Sequence, residues 1–214
     1  MIGVKECSSD EIDPVGTNSY QMITGDDSEE DRGHWDKFYN TGSYIYGKEP
    51  AEFLCQHQSF LRGGRALDIA MGEGRNAVFL GKKGMLVEGV DISEVAVRKA
   101  KRLAMENRVI MTPIIADLAH YQIKPDTYHV ILNFNYLQRN MIPKIKQGLK
   151  RKGIVIYENH TMDQLSNRVG QHLRRDYLLN RGELKELFED FEILVYRETN
   201  NGEDAKASLI ARKP

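Results

Sequence analysis

The chain of 214 residues fits one domain, or one domain with an appendage, since domains run about 100–200 residues. Its apolar share of 41%, raised to about half by the 18 glycines, matches a chain that buries a packed core and excludes wholesale disorder. No apolar run approaches the roughly 18 residues of a membrane span, no secretory segment is expected after Met1, and the two cysteines, Cys7 and Cys55, point to a reducing, cytoplasmic setting.

The formal net charge of −1 conceals an asymmetry. Residues 1–31 hold nine acids against Lys5 alone, so the rest of the chain carries a net +7. With few large apolars and no sustained periodicity, residues 1–30 read as an acidic extension, poorly ordered in isolation. The domain proper is expected over residues 31–214. Its first part concentrates aromatics: Trp35, Phe38, Tyr39, Tyr44 and Tyr46, with Gly42 and Gly47 among them.

From there strands and helices alternate. Arg65–Ala70 (RALDIA) is a short apolar strand holding an acid, followed by glycines and a helix over Arg75–Lys83. Met85–Asp91 is a second strand, and Ser93 is placed to cap a helix over Glu94–Asn107, where Val97, Ala100, Leu103 and Ala104 fall near helical spacing. Met111–Asp117 and Tyr128–Asn133 are the third and fourth strands, each of the first three carrying an acid near its end. A helix over Arg139–Leu149, a fifth strand over Gly153–Glu158 and a helix over Arg181–Glu189 follow. Two closing strands, Phe191–Glu198 and Ala205–Ala211, are joined through Asn200-Asn201-Gly202, a hairpin turn signal. Apolar strands separated by helices predict an α/β, Rossmann-like doubly wound sheet with helices on both faces, the closing hairpin adding an antiparallel strand.

Chemistry concentrates after the first strand. Gly72-x-Gly74-x-x-Ala77 formally satisfies the dinucleotide fingerprint, a weak signal alone. Asp68, four residues before Gly72, suits a cationic amino-acid portion and is awkward beside a pyrophosphate. Asp91, 17 residues after Gly74, is placed to accept from both hydroxyls of a ribose, and Asp117 to accept from an adenine amine. Together these features favour a sulfonium cofactor over a nicotinamide or flavin.

Asp68, Ala70, Gly72, Gly74 and Asp91 resemble the motifs of class I S-adenosylmethionine (SAM)-dependent methyltransferases, with Ala70 where the family's first glycine stands. An added methyl there crowds the cofactor slightly. More narrowly, Leu67–Gly84 (LDIAMGEGRNAVFLGKKG), Asn133–Arg139 (NFNYLQR) and Ala207–Pro214 (ASLIARKP) resemble the bacterial tellurite-resistance methyltransferase group, a similarity running from about Trp35 to Pro214. The resemblance implies seven strands in the order 3-2-1-4-5-7-6 with the seventh antiparallel. It implies a methyltransferase using SAM and yielding S-adenosylhomocysteine (SAH), with a cofactor set of Asp68, Ala70, Gly72, Gly74, Asn76, Asp91, Ile92, Asp117, Leu118 and Asn133. It also implies that residues 31–60 form a lid, with Trp35, Tyr39 and Tyr46 as contacts to cofactor or acceptor and the glycines giving mobility.

Methyl transfer from a sulfonium is an in-line displacement with a neutral leaving group, so proximity and orientation supply much of the rate. The sequence therefore specifies the cofactor better than the acceptor. Tyr136 and His160, after the fourth and fifth strands, are the candidate catalytic groups. No metal is expected, since the histidines show no i,i+3 or i,i+4 pair and no CxxC is present. The basic clusters Arg98–Arg102 and Lys144–Lys152 read as solvated helix faces, so nucleic acid is not an expected partner. A small-molecule acceptor, possible soft thiol, chalcogen or metalloid species among them, and a monomer or homodimer are expected. The alternatives are methylation of RNA or protein, or a SAM-binding module without catalysis.

Overall fold

The computed structural model describes residues 28–168 and 173–214. The strands are β1 (Arg65–Ile69), β2 (Leu86–Asp91), β3 (Met111–Ile115), β4 (Tyr128–Phe134), β5 (Leu149–His160), β6 (Glu192–Asn200) and β7 (Ala205–Arg212). They form one seven-stranded sheet in the order β3-β2-β1-β4-β5-β7-β6, with β7 antiparallel to both its neighbours. The expected topology is thus observed.

Residues two apart along a strand point to the same face, and both faces are apolar. Leu67, Ile69, Ile131, Val155 and Tyr157 pack on one side with Ile142 and Ile145 of α5 (Met141–Gly148) and Leu184 of α6 (Glu183–Leu187). Ala66, Val130, Leu132 and Ile156 pack on the other with Leu54 of α2 (Glu52–Gln56) and Ala77 and Leu80 of α3 (Arg75–Lys82). The parallel registers bring Ile69 beside Val90 and Asn133, so the carboxyl ends of β1, β2 and β4 lie in one row.

Several boundaries differ from the sequence reading for identifiable reasons. A helix, α1 (Ser28–Tyr39), begins inside the expected extension; Glu29, Glu30 and Asp31 occupy its first turn, where acids complement the helix dipole. The remaining extension, 1–27, lies outside the described residues. α5 starts at Met141, two residues later than expected, and the Arg139 guanidinium before it donates to Asp176 O and Leu178 O, at 2.8 and 3.0 Å. β5 begins at Leu149 and takes in Lys150–Lys152, since strand pairing needs only backbone groups and Lys152 N reaches Lys213 O at 3.1 Å. Ser93 caps α4 (Glu94–Glu106) as expected, its Oγ accepting from Ala96 N at 3.1 Å. Among the described residues no helix is long and apolar enough to cross a membrane.

Candidate active site

Beyond the carboxyl ends of β1, β2 and β4 lies a cavity roofed by α1 and the loop that follows it. Its floor is the turn after β1. Ala70 and Gly72 both take left-handed φ, +51° and +53°, and Gly74 at +84° leads into α3. Gly72 is needed for space as well as for φ: a Cβ there would lie 2.9 Å from Tyr39 Oη. Ala70 has no such freedom, so its departure from glycine is a matter of backbone strain more than of crowding.

Two buried carboxylates shape the floor. Asp68, 2% exposed, takes a backbone hydrogen bond from Ala77, and its Oδ2 has no hydrogen-bond partner among the described residues. Burial pushes its pKa up to about 7, and the nearby Asp91 adds to the rise. Asp91 accepts from Gly72 N at 2.8 Å and Ser93 N at 2.9 Å, so one carboxylate ties the glycine turn to the start of α4. Burial raises it to about 6 despite those amides. Beyond β3, Asp117 accepts from Ala119 N at 2.8 Å and lies 2.9 Å from His120 Nδ1, fixing the turn that brings Asp117 and Leu118 to the wall.

Of the residues expected at the cofactor, Asp68, Ala70, Gly72, Asn76, Asp91, Ile92, Asp117 and Leu118 line this cavity, as do Trp35, Tyr39 and Tyr46 above it. Three expected residues do not. Gly74 abuts α4 instead, where a Cβ would lie 2.7 Å from that of Ala100. Asn133 is buried at the end of β4, and Phe134, Asn135 and Tyr136 take the wall position in its place, Asn135 turning there with φ +56°. His160 is drawn to the hairpin, its Nδ1 3.1 Å from Asp204 Oδ1. Burial works to raise Asp204, but His160 and Lys206 together hold it down at about 2. His160 is therefore withdrawn as a catalytic candidate.

Tyr136 is at the wall, its phenol donating to Gln138 Oε1 at 2.6 Å. Burial raises its pKa well above the usual phenol value, aided by Asp117 and Tyr177, which keeps the phenol neutral.

The sequence reading missed Asp31, Glu73 and Arg75, which also line the cavity. Arg75 donates to Tyr46 O at 3.0 Å and its guanidinium lies 5.6 Å from the Tyr46 ring centre. Its place at the first residue after the glycine turn was the available signal. Asp31 had none, standing as the last acid of the acidic run at the start of the expected domain. Among the described residues no group of three His, Cys, Asp or Glu side chains converges as a metal site.

A family model described as "Tellurite resistance protein TehB" matches residues 36–208. The chain belongs to the TehB family. It is accordingly a class I SAM-dependent methyltransferase whose cofactor is SAM. The crystal structure of TehB from Haemophilus influenzae superposes with a TM-score of 0.66 at 20% identity, covering 86% of this chain and 67% of that one. Magnesium protoporphyrin IX methyltransferase (ChlM) from Synechocystis PCC 6803, solved with bound SAH, superposes at 0.60 with 21% identity over 76% of this chain and 79% of that one. A stretch of 74 residues, 35% of the chain, is 36% identical to a 23S rRNA (uracil(747)-C(5))-methyltransferase of Pyrococcus abyssi, and spans 17% of that protein's length.

Proposed function

We propose that this TehB-family methyltransferase acts on a small-molecule acceptor, as a cytoplasmic monomer or homodimer. The observation that carries this reading is the roof: Trp35, Tyr39 and Tyr46 lie over the cavity, leaving a covered chamber in place of an open groove for a polymer.

The residues present fit the cofactor. The buried Asp68 Oδ2 lacks a partner among the described residues, which the cofactor's ammonium would supply; Asp91 keeps acceptor capacity for ribose hydroxyls, and Asp117 at the cavity wall would accept from an adenine amine. Bound SAM supplies an electrophilic methyl on a sulfonium. The chain's task is to orient that methyl toward the acceptor and to exclude water, which the aromatic roof serves.

With those residues assigned to the cofactor, the acceptor end is left to Asp31, Trp35, Phe134, Asn135 and Tyr136. This wall is aromatic and acidic, and it disfavours an oxyanion while admitting a neutral or cationic nucleophile. A soft neutral acid such as a thiol or selenol fits this character: its chalcogen–methyl bond would form as the methyl–sulfonium bond breaks, with SAH leaving as a neutral thioether and the acceptor's proton passing to solvent.

The test is transfer of labelled methyl from SAM to a lysate separated into small molecules, protein and RNA, followed by a panel of thiols, amines and tellurite. The expected label is in the small-molecule fraction, with thiols ahead of tellurite. Label in RNA or protein alone would overturn the reading, and tight SAM binding with no transfer anywhere would make the chain a binding module.

A further inference from the structure

We infer that Lys99 is a positioning residue, the latch that holds the lid closed over the cofactor and so sets how fast cofactor and product exchange. The inference rests on the SAM assignment above and on one fully engaged ammonium group.

Lys99 lies on α4, in a stretch whose other bases, Arg98, Lys101 and Arg102, are exposed. It differs from them in direction. Its Nζ has three N–H donors and three acceptors: Glu73 Oε1 at 2.7 Å, Ser43 O at 2.7 Å and Thr41 Oγ1 at 3.2 Å. The first belongs to the glycine turn and the other two to the loop after α1. Glu73, nearly fully buried, uses its second oxygen on the same loop, accepting from Ile45 N at 2.6 Å. Tyr44 closes the circuit, its hydroxyl donating to Lys99 O at 3.1 Å while its ring lies 5.6 Å from Lys99 Nζ.

The reach is possible because Gly74 lets α4 lie against the glycine turn, with no room for a Cβ between them. Residues 41–45 are therefore held at four points, three on the Lys99–Glu73 ion pair and one on the Lys99 backbone carbonyl. The loop leads directly to Tyr46 and Gly47 at the cavity wall. Opening the roof at that end requires those four bonds to break together, and a buried pair of this kind is little weakened by salt. Lys99 itself does not line the cavity, so its substitution leaves every cavity-wall side chain in the sequence, Glu73 included.

Trp35 is the chain's only tryptophan and stands at the cavity wall, so its fluorescence reports SAH binding and release directly. Stopped-flow displacement of SAH is to be compared for the wild type, Lys99→Met, Lys99→Arg, Thr41→Val and Tyr44→Phe. Lys99→Met should speed SAH release about tenfold, as expected on losing charge-assisted hydrogen bonds from the closed state alone. Lys99→Arg should restore most of the slow release, and each loop variant should speed it about two- to threefold, the effect of losing part of one hydrogen bond. Release at the wild-type rate from folded Lys99→Met overturns the latch. Should Lys99→Met not fold, wild-type rates from Thr41→Val and Tyr44→Phe overturn it equally. Wild-type protein that gives no response to SAH overturns the cofactor assignment and the latch with it, whereas normal binding with unaltered variants overturns the latch alone.

Discussion

At the residue scale, Asp68 and Asp91 are held in a state their ligand would reverse. Both carboxyls bind protons more tightly folded than unfolded, at about 7 and about 6. Their contribution to the ligand-free fold is therefore fully present below the unfolded value near 4 and is lost as pH rises through 6–7. The thermal midpoint of the ligand-free protein should fall between pH 5 and 8. A bound ammonium favours ionised Asp68, so SAH affinity should move the opposite way, tightening about tenfold from pH 6 to pH 8 if one group near pH 7 must give up its proton. Calorimetry across that range checks both the slope and its loss in Asp68→Asn. Asp91→Ala removes the tie between Gly72 and Ser93 along with the ribose acceptor, and should weaken SAH binding by about 1.5–3 kcal/mol. Ala70 offers the reverse case. A β-carbon at φ +51° is strained by about 1–2 kcal/mol, part of which glycine's greater unfolded entropy cancels. Ala70→Gly should thus raise stability by about 0.5–1 kcal/mol in chemical denaturation, with SAH affinity kept or improved.

At the scale of elements, the lid is built into the cofactor loops and does not merely rest on them. Asp36 of α1 accepts from Ser93 Oγ at 2.6 Å and from Val95 N at 3.0 Å, so one helix caps the start of another. Asp36→Ala should cost about 1 kcal/mol of stability, measured by denaturant melts, and should loosen SAH because Ser93 and Asp91 share the same turn. What was legible in the sequence follows the same division. The sheet and the acids at the ends of β1 and β2 could be read because strand periodicity and the glycine turn are local patterns, whereas the strand order came only with the family resemblance. The roof could be read only as a concentration of aromatics. α1 is polar on most faces and starts within an acidic run, which composition classes as solvated. The latch was invisible for a plainer reason. Lys99 sits among three other bases of α4, and only its position on the flank of the Ala96–Ala100–Leu103 stripe distinguishes it. His160 is the opposite case: the sequence reading put it just past the fifth strand, but it closes β5, where the antiparallel pairing with β7 brings Asp204 near it, a long-range fact.

At the scale of the whole molecule, the charge asymmetry acquires a definite boundary. The described fold begins at Ser28, so the acidic extension to be removed is 1–27, which carries six acids against Lys5. Removing it converts a chain of net charge −1 into one of +4, while leaving Asp31 on the cavity wall and the first turn of α1 in place. The exposed bases of that body include Arg98, Lys101 and Arg102, whereas Lys146 is paired with Asp190 and Lys144 is bonded to Ala119 O and Tyr121 O. Much of the apparent basic surface is thus already occupied within the fold, and the increment left for a polyanion is small. Deletion of 1–27 should move elution from heparin to higher salt and leave SAH affinity within about twofold, because long-range charge is screened over about 10 Å at 0.1 M salt while cofactor contacts are short-range. Deletion of 1–31 should differ sharply, since it removes Asp31 and the acids that complement the start of α1, and SAH should then bind more weakly. Equal SAH affinity in the two truncations would detach Asp31 and the first turn of α1 from the site. An unchanged heparin elution would show that the extension does not shield the body, and the near-neutral total would then reflect two charges that never meet.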